Sequence, residues 1–237
     1  MNYDILEKGL NSLGIEYDDD ILQRFGAYFD ILEERGGVMN LTAITGEENV
    51  SRLHFIDCAA ILKCADFKNK KVIDVGSGAG FPGLPVKILE PTAELTMLDS
   101  LNKRVQFLND AAAVMGLDGA AAIHARAEEA ALDAAHRQQY DIAVSRAVAR
   151  LNVLSELCVP FVKVGGLFIA MKSTDTDEET AQAEGALKTL GARIKDTYDY
   201  AIDGTDIVHR AIIIEKVSPT PKTYPRRFSK IKAAPLQ

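Results

Sequence analysis

The residues best suited to chemistry lie in one stretch, Lys71-Val-Ile-Asp-Val-Gly-Ser-Gly-Ala-Gly-Phe-Pro-Gly-Leu-Pro85. Val72, Ile73 and Val75 are β-branched and apolar, as in a buried strand. The run then breaks into glycines at 76, 78, 80 and 83 before a helical segment begins at Leu84. A strand that enters a glycine turn and leaves as a helix builds a nucleotide-binding site. Gly76, Gly78 and Gly80 let the backbone approach a ligand closely, and the first N–H groups of the helix have no intrahelical partner. What is missing narrows the ligand. No Gly-Lys-Ser/Thr follows, which excludes a phosphate-cradling loop, and the G-x-G-x-x-G dinucleotide spacing is met only from Gly78 through Gly80 to Gly83. A turn that serves only helix–sheet packing is the alternative.

Three further stretches extend the site. Asp99 lies 23 residues after Gly76, near the spacing at which an acid meets ribose hydroxyls, in a nicotinamide dinucleotide site as well. Arg126-Ala127-Glu128 is placed to give a flat base an apolar slot with polar edges, and Ser145-Arg146 faces the side from which a second substrate arrives. All of these positions follow predicted strands, and open α/β sheets bind ligands at the carboxyl ends of parallel strands.

The elements that must hold these residues alternate. Strands are predicted at 71–75, 94–99, 120–125, 140–145 and 166–172, with helices at 83–90, 102–115, 127–136, 149–162 and 177–190 between and after them. Strands near 192–199 and 207–215 close the sheet as an antiparallel hairpin about Asp203-Gly204. Ahead of the sheet the chain reads as helical. One helix is expected over Tyr3 to Leu13. A second carries the stripe Ile21, Phe25, Tyr28, Phe29 and Leu32, starts at Asp18–Asp20 and ends at Gly36-Gly37, and a third covers about Glu47 to Lys63. On pattern alone His54 and Asp57 are polar positions of an amphipathic helix, exposed or satisfied. The chain therefore divides into a helical subdomain (1–66), an α/β domain (67–216) and a basic, proline-containing tail (217–237).

Composition is that of an ordinary globular protein, 47% hydrophobic and 26% charged. No apolar run reaches the length of a membrane span, and the first residues lack the basic and apolar regions of a signal peptide, so a cytoplasmic protein without membrane contact is expected. Cys58, Cys64 and Cys158 form no metal-ligand spacing and read as buried reduced thiols, and the four histidines are scattered, so no metal site is expected. The net charge of −7 excludes non-specific coating of nucleic acid, but the balance is uneven. After Lys216 come Lys222, Arg226, Arg227, Lys230 and Lys232 with no acid, interleaved with Tyr224 and Phe228. That tail is either solvated and partly disordered or an arm in which aromatics stack on RNA bases and Arg226 and Arg227 meet phosphates.

Strand-Asp-x-Gly-x-Gly-x-Gly resembles the first motif of class I methyltransferases, whose seven-stranded order the predicted elements share. The chain carries neither an Asp/Asn-Pro-Pro-Tyr/Phe motif after the fourth strand nor a Pro-Cys nucleophile. An acceptor with a free lone pair, such as guanine N7, needs neither. Over nearly its whole length the chain resembles the bacterial 16S ribosomal RNA guanine-N7 methyltransferases, the glucose-inhibited division protein B family. The likeness rests on Asn40-Leu41-Thr42, His54-Phe55-Ile56-Asp57, Asp74 to Gly83 with its Phe81-Pro82-Gly83 extension, Leu98-Asp99-Ser100-x-x-Lys103-Arg104, Ala127-Glu128-Glu129 and Ser145-Arg146-Ala147.

The resemblance implies a Rossmann-like, mostly parallel seven-stranded sheet behind an N-terminal helical extension. It implies S-adenosylmethionine as donor, S-adenosylhomocysteine as product, and a guanine in the decoding-region loop of 16S RNA, free or in the small subunit, as acceptor. Gly76, Phe81, Ala127, Glu128 and Arg146 would contact the donor, together with Gly78, Gly80, Asp99 and Ser100 of the same motifs. Asn40, His54, Asp57, Lys103, Arg104, Arg146 and Lys172 would line the RNA side, with Arg146, His54 and Asn40 closest to the reaction. Replacing Arg146 is expected to damage activity more than folding. A monomer is expected. The chain departs from the family at Cys58, where Ser is frequent, at Ser173, where Gly usually follows the lysine, and in its tail, which lacks a glycine and a second proline.

Overall fold

Two helices lead the chain, α1 (Asp4–Leu13) and α2 (Asp19–Met39), in a computed structural model that describes residues 1, 3–39, 41–146 and 149–237. Phe25, Tyr28 and Leu32, three and four residues apart, are buried along α2, and the Asp18 carboxylate accepts the Ile21 N–H at its start. The helix does not stop at Gly36-Gly37 as expected but runs on to Met39. Gly36 does not adopt the positive φ of a helix-ending glycine. From Glu47 to Lys63 the chain is helical as expected but changes pitch: α3 (Glu47–Val50) passes into a π-helical turn (Ser51–Ile56), then α4 (Asp57–Ala59) and a 3-10 turn (Ala60–Lys63). Single π turns of this kind concentrate at functional sites.

The alternating half follows in order: β1 (Lys71–Val75), α5 (Gly83–Leu89), β2 (Glu94–Asp99), α6 (Asn102–Val114), β3 (Ala120–His124), α7 (Ala127–Ala130), β4 (Tyr140–Arg146), α8 (Leu151–Cys158), β5 (Val162–Ser173), α9 (Asp177–Leu190), β6 (Ala192–Ala201), β7 (Val208–Lys216) and α10 (Phe228–Ala233). The strands form one seven-stranded sheet in the order β3-β2-β1-β4-β5-β7-β6, with β7 antiparallel to both neighbours and the other pairs parallel. This is the Rossmann-like class I methyltransferase fold, with helices ahead of it. The order reverses between β1 and β4, so the ligand crevice opens there.

Three local expectations change. The helix predicted over 127–136 stops at Ala130, because the Asp133 side chain accepts the Ala135 N–H and the chain folds into turns. The helix predicted to 162 ends at Cys158, ahead of Pro160, and β5 starts at Val162 rather than 166. Cys58 and Cys158 are buried free thiols, but Cys64 is only partly covered.

Alternation along the central strands builds two cores. Val72, Ile142 and Ile169 face Phe25, Tyr28 and Phe55, so the leading helices and the sheet share one apolar cluster. Ile73, Ala143 and Ala170 face Leu154, Leu157 and Phe161 on the other side. The tail is docked on this second face rather than solvated. Ile231 of α10 is fully buried there, and Arg226 grips the fully buried carboxylate of Glu156 through its Nε (2.8 Å), Nη2 (2.6 Å) and backbone N–H (2.8 Å).

Candidate active site

Two clefts open at the carboxyl ends of the strands, one on each side of β4. The first, about 380 Å³, lies over the ends of β1, β2 and β3 and is lined by Gly76, Asp99, Ser100, Arg104, Ala127 and Glu128 among others. Its floor is the glycine turn. Gly76 and Ser77 donate their N–H groups to Leu98 O, which folds the turn over the end of β2. Gly76 (φ 76°) and Gly78 (φ 59°) take the left-handed backbone that side chains avoid. A Cβ on Gly78 would meet nothing closer than 3.9 Å, so this backbone is bare. Asp99 accepts the Gly78 N–H through Oδ2 (3.0 Å) and the Leu101 N–H through Oδ1 (2.9 Å). A carboxylate has about four acceptor sites, so capacity for ribose hydroxyls remains. Size, bare backbone and acid fit an adenosyl group.

Gly80 and Phe81 serve the frame. A Cβ on Gly80 would lie 2.4 Å from Leu84 Cδ1 and 2.6 Å from Tyr28 Oη. The Tyr28 hydroxyl donates to Ala79 O at 2.6 Å, which ties α2 to the turn. Phe81 is buried and stacks on His54 (centroids 4.1 Å apart), with the Arg146 guanidinium 4.8 Å above its ring. Neither residue lines the first cleft, as the donor contact expected for each would require. Beneath the turn, the fully buried Asp74 accepts the Gly83 N–H through Oδ2 (2.9 Å). Its Oδ1 has no partner among the described residues, and burial pushes the carboxyl up to about 7.

The second cleft, about 590 Å³, is walled by the π-helical turn and the ends of β4, β5 and β7, and its polar lining includes His54, Arg146, Lys172, Glu179 and His209. Arg146 stands at its inner edge. Its Nη1 donates to Leu53 O (3.1 Å) and Asp57 Oδ2 (3.0 Å), and its Nη2 donates to His54 Nδ1 (2.8 Å). Because Nδ1 accepts, His54 is neutral with its proton on Nε2, which donates to Thr42 Oγ1 at 2.8 Å. Burial first, and then the Arg146 guanidinium, lower this imidazole to about 3. Asp57 is 2% exposed and engaged on both oxygens, since Tyr200 Oη and His209 Nδ1 each donate to Oδ1 at 2.8 Å. Burial opposes its charge, but the His209 hydrogen bond, the Arg146 guanidinium and the Tyr200 hydroxyl hold it below the usual carboxylate range.

The structure thus brings His54, Asp57, Arg146 and Lys172 to one cleft and Gly76, Asp99, Ser100, Ala127 and Glu128 to the other. Gly78 lies in the turn beside the first cleft without lining it, and Arg146, expected at the donor as well, lines only the second. Asp57 is a buried anchor for Arg146 and not a surface that meets RNA. Lys172 is paired with Glu179 at 2.6 Å and donates to Ala149 O. Arg104 borders the first cleft, 3.6 Å from Asp99 Oδ2, while Lys103 is exposed beside it. Arg226 is engaged by Glu156, so of the tail arginines only Arg227 is exposed. Asn40 and Ala147 lie outside the described residues. Tyr28, Glu179, Tyr200 and His209 were not anticipated. For Tyr200 and His209 no such pairing was legible in the sequence: the predicted strand over 192–199 stops short of Tyr200, and only the structure sets it opposite His209 on β6 and β7.

A family described as rRNA small subunit methyltransferase G matches residues 21–201. The chain is 45% identical over 236 residues to the ribosomal RNA small subunit methyltransferase G of Clostridium perfringens (strain 13 / Type A), covering 99% of each protein. It is 44% identical to that of Clostridium botulinum (strain Loch Maree / Type A3), again over 99% of each. Solved structures share the fold at low identity. TrmN from Thermus thermophilus has a TM-score of 0.53 and 19% identity over 68% of this chain and 48% of its own. M. jannaschii TYW2 in complex with AdoMet has a TM-score of 0.53 and 12% identity over 68% and 75%.

Proposed function

Because this chain belongs to the rRNA small subunit methyltransferase G family, we propose that it transfers a methyl group from S-adenosylmethionine to N7 of a guanine in 16S ribosomal RNA, in the cytoplasm. That it is a methyltransferase of ribosomal RNA follows from the family; the donor, the acceptor atom and the residue roles are the finer proposal. When bound, S-adenosylmethionine supplies a methyl group on a positively charged sulfur, which needs only a lone pair in line with it.

The observation that carries N7 is the state of His54. The imidazole beside Arg146 is neutral and bonded at both nitrogens, so it does not take a proton from an acceptor. Guanine N7 has none to give, being a bare hydrogen-bond acceptor. Catalysis then rests on positioning and electrostatics. The turn at Gly76 and Gly78, with Asp99, Ser100, Ala127 and Glu128, holds the donor. Arg146, fixed by Asp57, His54 and the Phe81 ring, uses its remaining N–H groups to orient the guanine, while Lys172 and Asn40 line the RNA path and Lys103, Arg104 and Arg227 meet phosphates.

The test uses 16S RNA and small subunits from cells lacking this gene, incubated with the protein and labelled S-adenosylmethionine. Label is expected at a single guanine in the decoding-region loop, where borohydride and aniline then cut the strand. Incorporation that resists this cleavage overturns the N7 assignment, and label confined to a protein or metabolite pool overturns the RNA substrate.

A further inference from the structure

We propose that the C-terminal segment completes the methyl-donor site, with the Phe228 ring as the wall of the slot that takes the adenine. The inference rests on the donor proposed above. Phe228 opens α10, lines the first cleft together with Asp99 and Ala127, also borders the neighbouring surface cavity beside Arg126 and Leu132, and is 39% exposed. Singly exposed apolar side chains are ordinary on protein surfaces, and what sets this ring apart is its place. Here the ring borders the one cleft that also holds the carboxylate suited to a ribose. Leu154 and Leu157 of α8 line the same cleft, so an aromatic face and two aliphatic side chains surround the position where a base must lie. Stacking on such a face is how proteins hold bases without reading their edges.

The segment is built to hold that ring still. Arg226, two residues earlier, is locked on Glu156, which sits on α8 between Leu154 and Leu157 in sequence. Arg137, just beyond α7, donates through Nη1 to Tyr224 O (2.9 Å) and through Nη2 to Thr220 O (2.9 Å) and Pro221 O (3.2 Å). Ile231, one helical turn past Phe228, is fully buried against the second core. The tail is therefore pinned to both elements that flank the cleft, α8 and the turn after α7, and Phe228 lies between the pins. An arm that first became ordered on RNA would not need a buried carboxylate and three carbonyl ties beforehand.

The experiment is calorimetric titration of the full chain with S-adenosylhomocysteine and, separately, with adenosine, for the wild type, Phe228→Ala and Phe228→Tyr. Phe228→Ala alters an exposed side chain, so its thermal melt should match the wild type. Its dissociation constants should rise about ten-fold for both ligands, while Phe228→Tyr stays within two-fold. An equal loss for adenosine, which lacks the amino-acid end, places the contact at the nucleoside. Wild-type affinity in Phe228→Ala overturns the inference and leaves the donor intact. A loss confined to S-adenosylhomocysteine overturns the adenine assignment, and failure of the wild type to bind either ligand overturns the donor proposal itself.

Discussion

Arg146 stands at the inner edge of the second cleft, and its surroundings alter what its removal should do. It neutralises Asp57, whose side chain is 2% exposed. Truncation leaves a buried carboxylate short of its cation, a loss of about 3 kcal/mol by the usual cost of breaking such a pair. Arg146→Ala should therefore lower both activity, by a hundred-fold or more, and the melting temperature, whereas the sequence alone suggested activity first. Arg146→Lys keeps the charge and loses the fork, so it separates the two effects when RNA methylation and thermal melting are measured together. Two other buried groups give opposite pH slopes. His54 titrates near 3 when folded against 6.5 unfolded, so its stabilising contribution is complete above about pH 6.5 and declines as pH falls toward 3. Asp74 is raised to about 7, so its contribution is present at low pH and is lost as pH rises through 7. Asp74→Asn should thus gain roughly 2–4 kcal/mol relative to wild type between pH 5 and pH 8, read from melts across that range. No gain would mean that Asp74 is ionised when folded.

At the scale of elements, the glycine turn divides into two functions. Gly78 faces open space at positive φ, so Gly78→Ala should cost about 1 kcal/mol of stability while weakening donor binding, because the new methyl group stands where the backbone must be bare. Gly80→Ala drives a Cβ into Leu84 and Tyr28 and should destabilise the fold by about 2–3 kcal/mol, the cost of strain plus overpacking. Melting and titration with S-adenosylhomocysteine on both variants should show opposite rankings. The π-helical turn matters at this scale too. It brings His54 and Asp57 to the same guanidinium, while Thr42, in the loop after α2, accepts from the far side of the imidazole.

For the whole molecule, the leading helices are part of the same core as the sheet. Phe25, Tyr28 and Phe55 pack in one cluster with Val72, Ile142 and Ile169. A chain begun at residue 67 would expose that face and should aggregate rather than fold, which size-exclusion chromatography and proton NMR would show. The net charge of −7 also implies that RNA is held by a local set of cations. Lys103→Glu should weaken RNA binding and flatten its salt dependence, with little change in the melt, whereas Arg104→Glu should also lower the melt because it sets a second carboxylate beside the buried Asp99. Among the described residues no helix is long and apolar enough to cross a membrane.

The sequence by itself determined the fold and gathered most of the residues that line the first cleft, because both are written locally. β-branched runs, glycine spacing and the acid at the end of the second strand are short-range patterns whose geometry follows from backbone sterics. The hairpin that reverses β7 was equally legible at Asp203-Gly204. Only the tertiary structure decided the second cleft. His54 and Asp57 pattern as ordinary helix positions, and what fixes their protonation is Arg146, roughly ninety residues away, with Tyr200 and His209 further still. The tail shows the same limit. Its composition left disorder and an RNA arm open, and the choice rested on Glu156 and Arg137, buried or half-buried partners seventy to ninety residues distant. Burial and long-range pairing set charge state and order, and neither leaves a periodic trace in the chain.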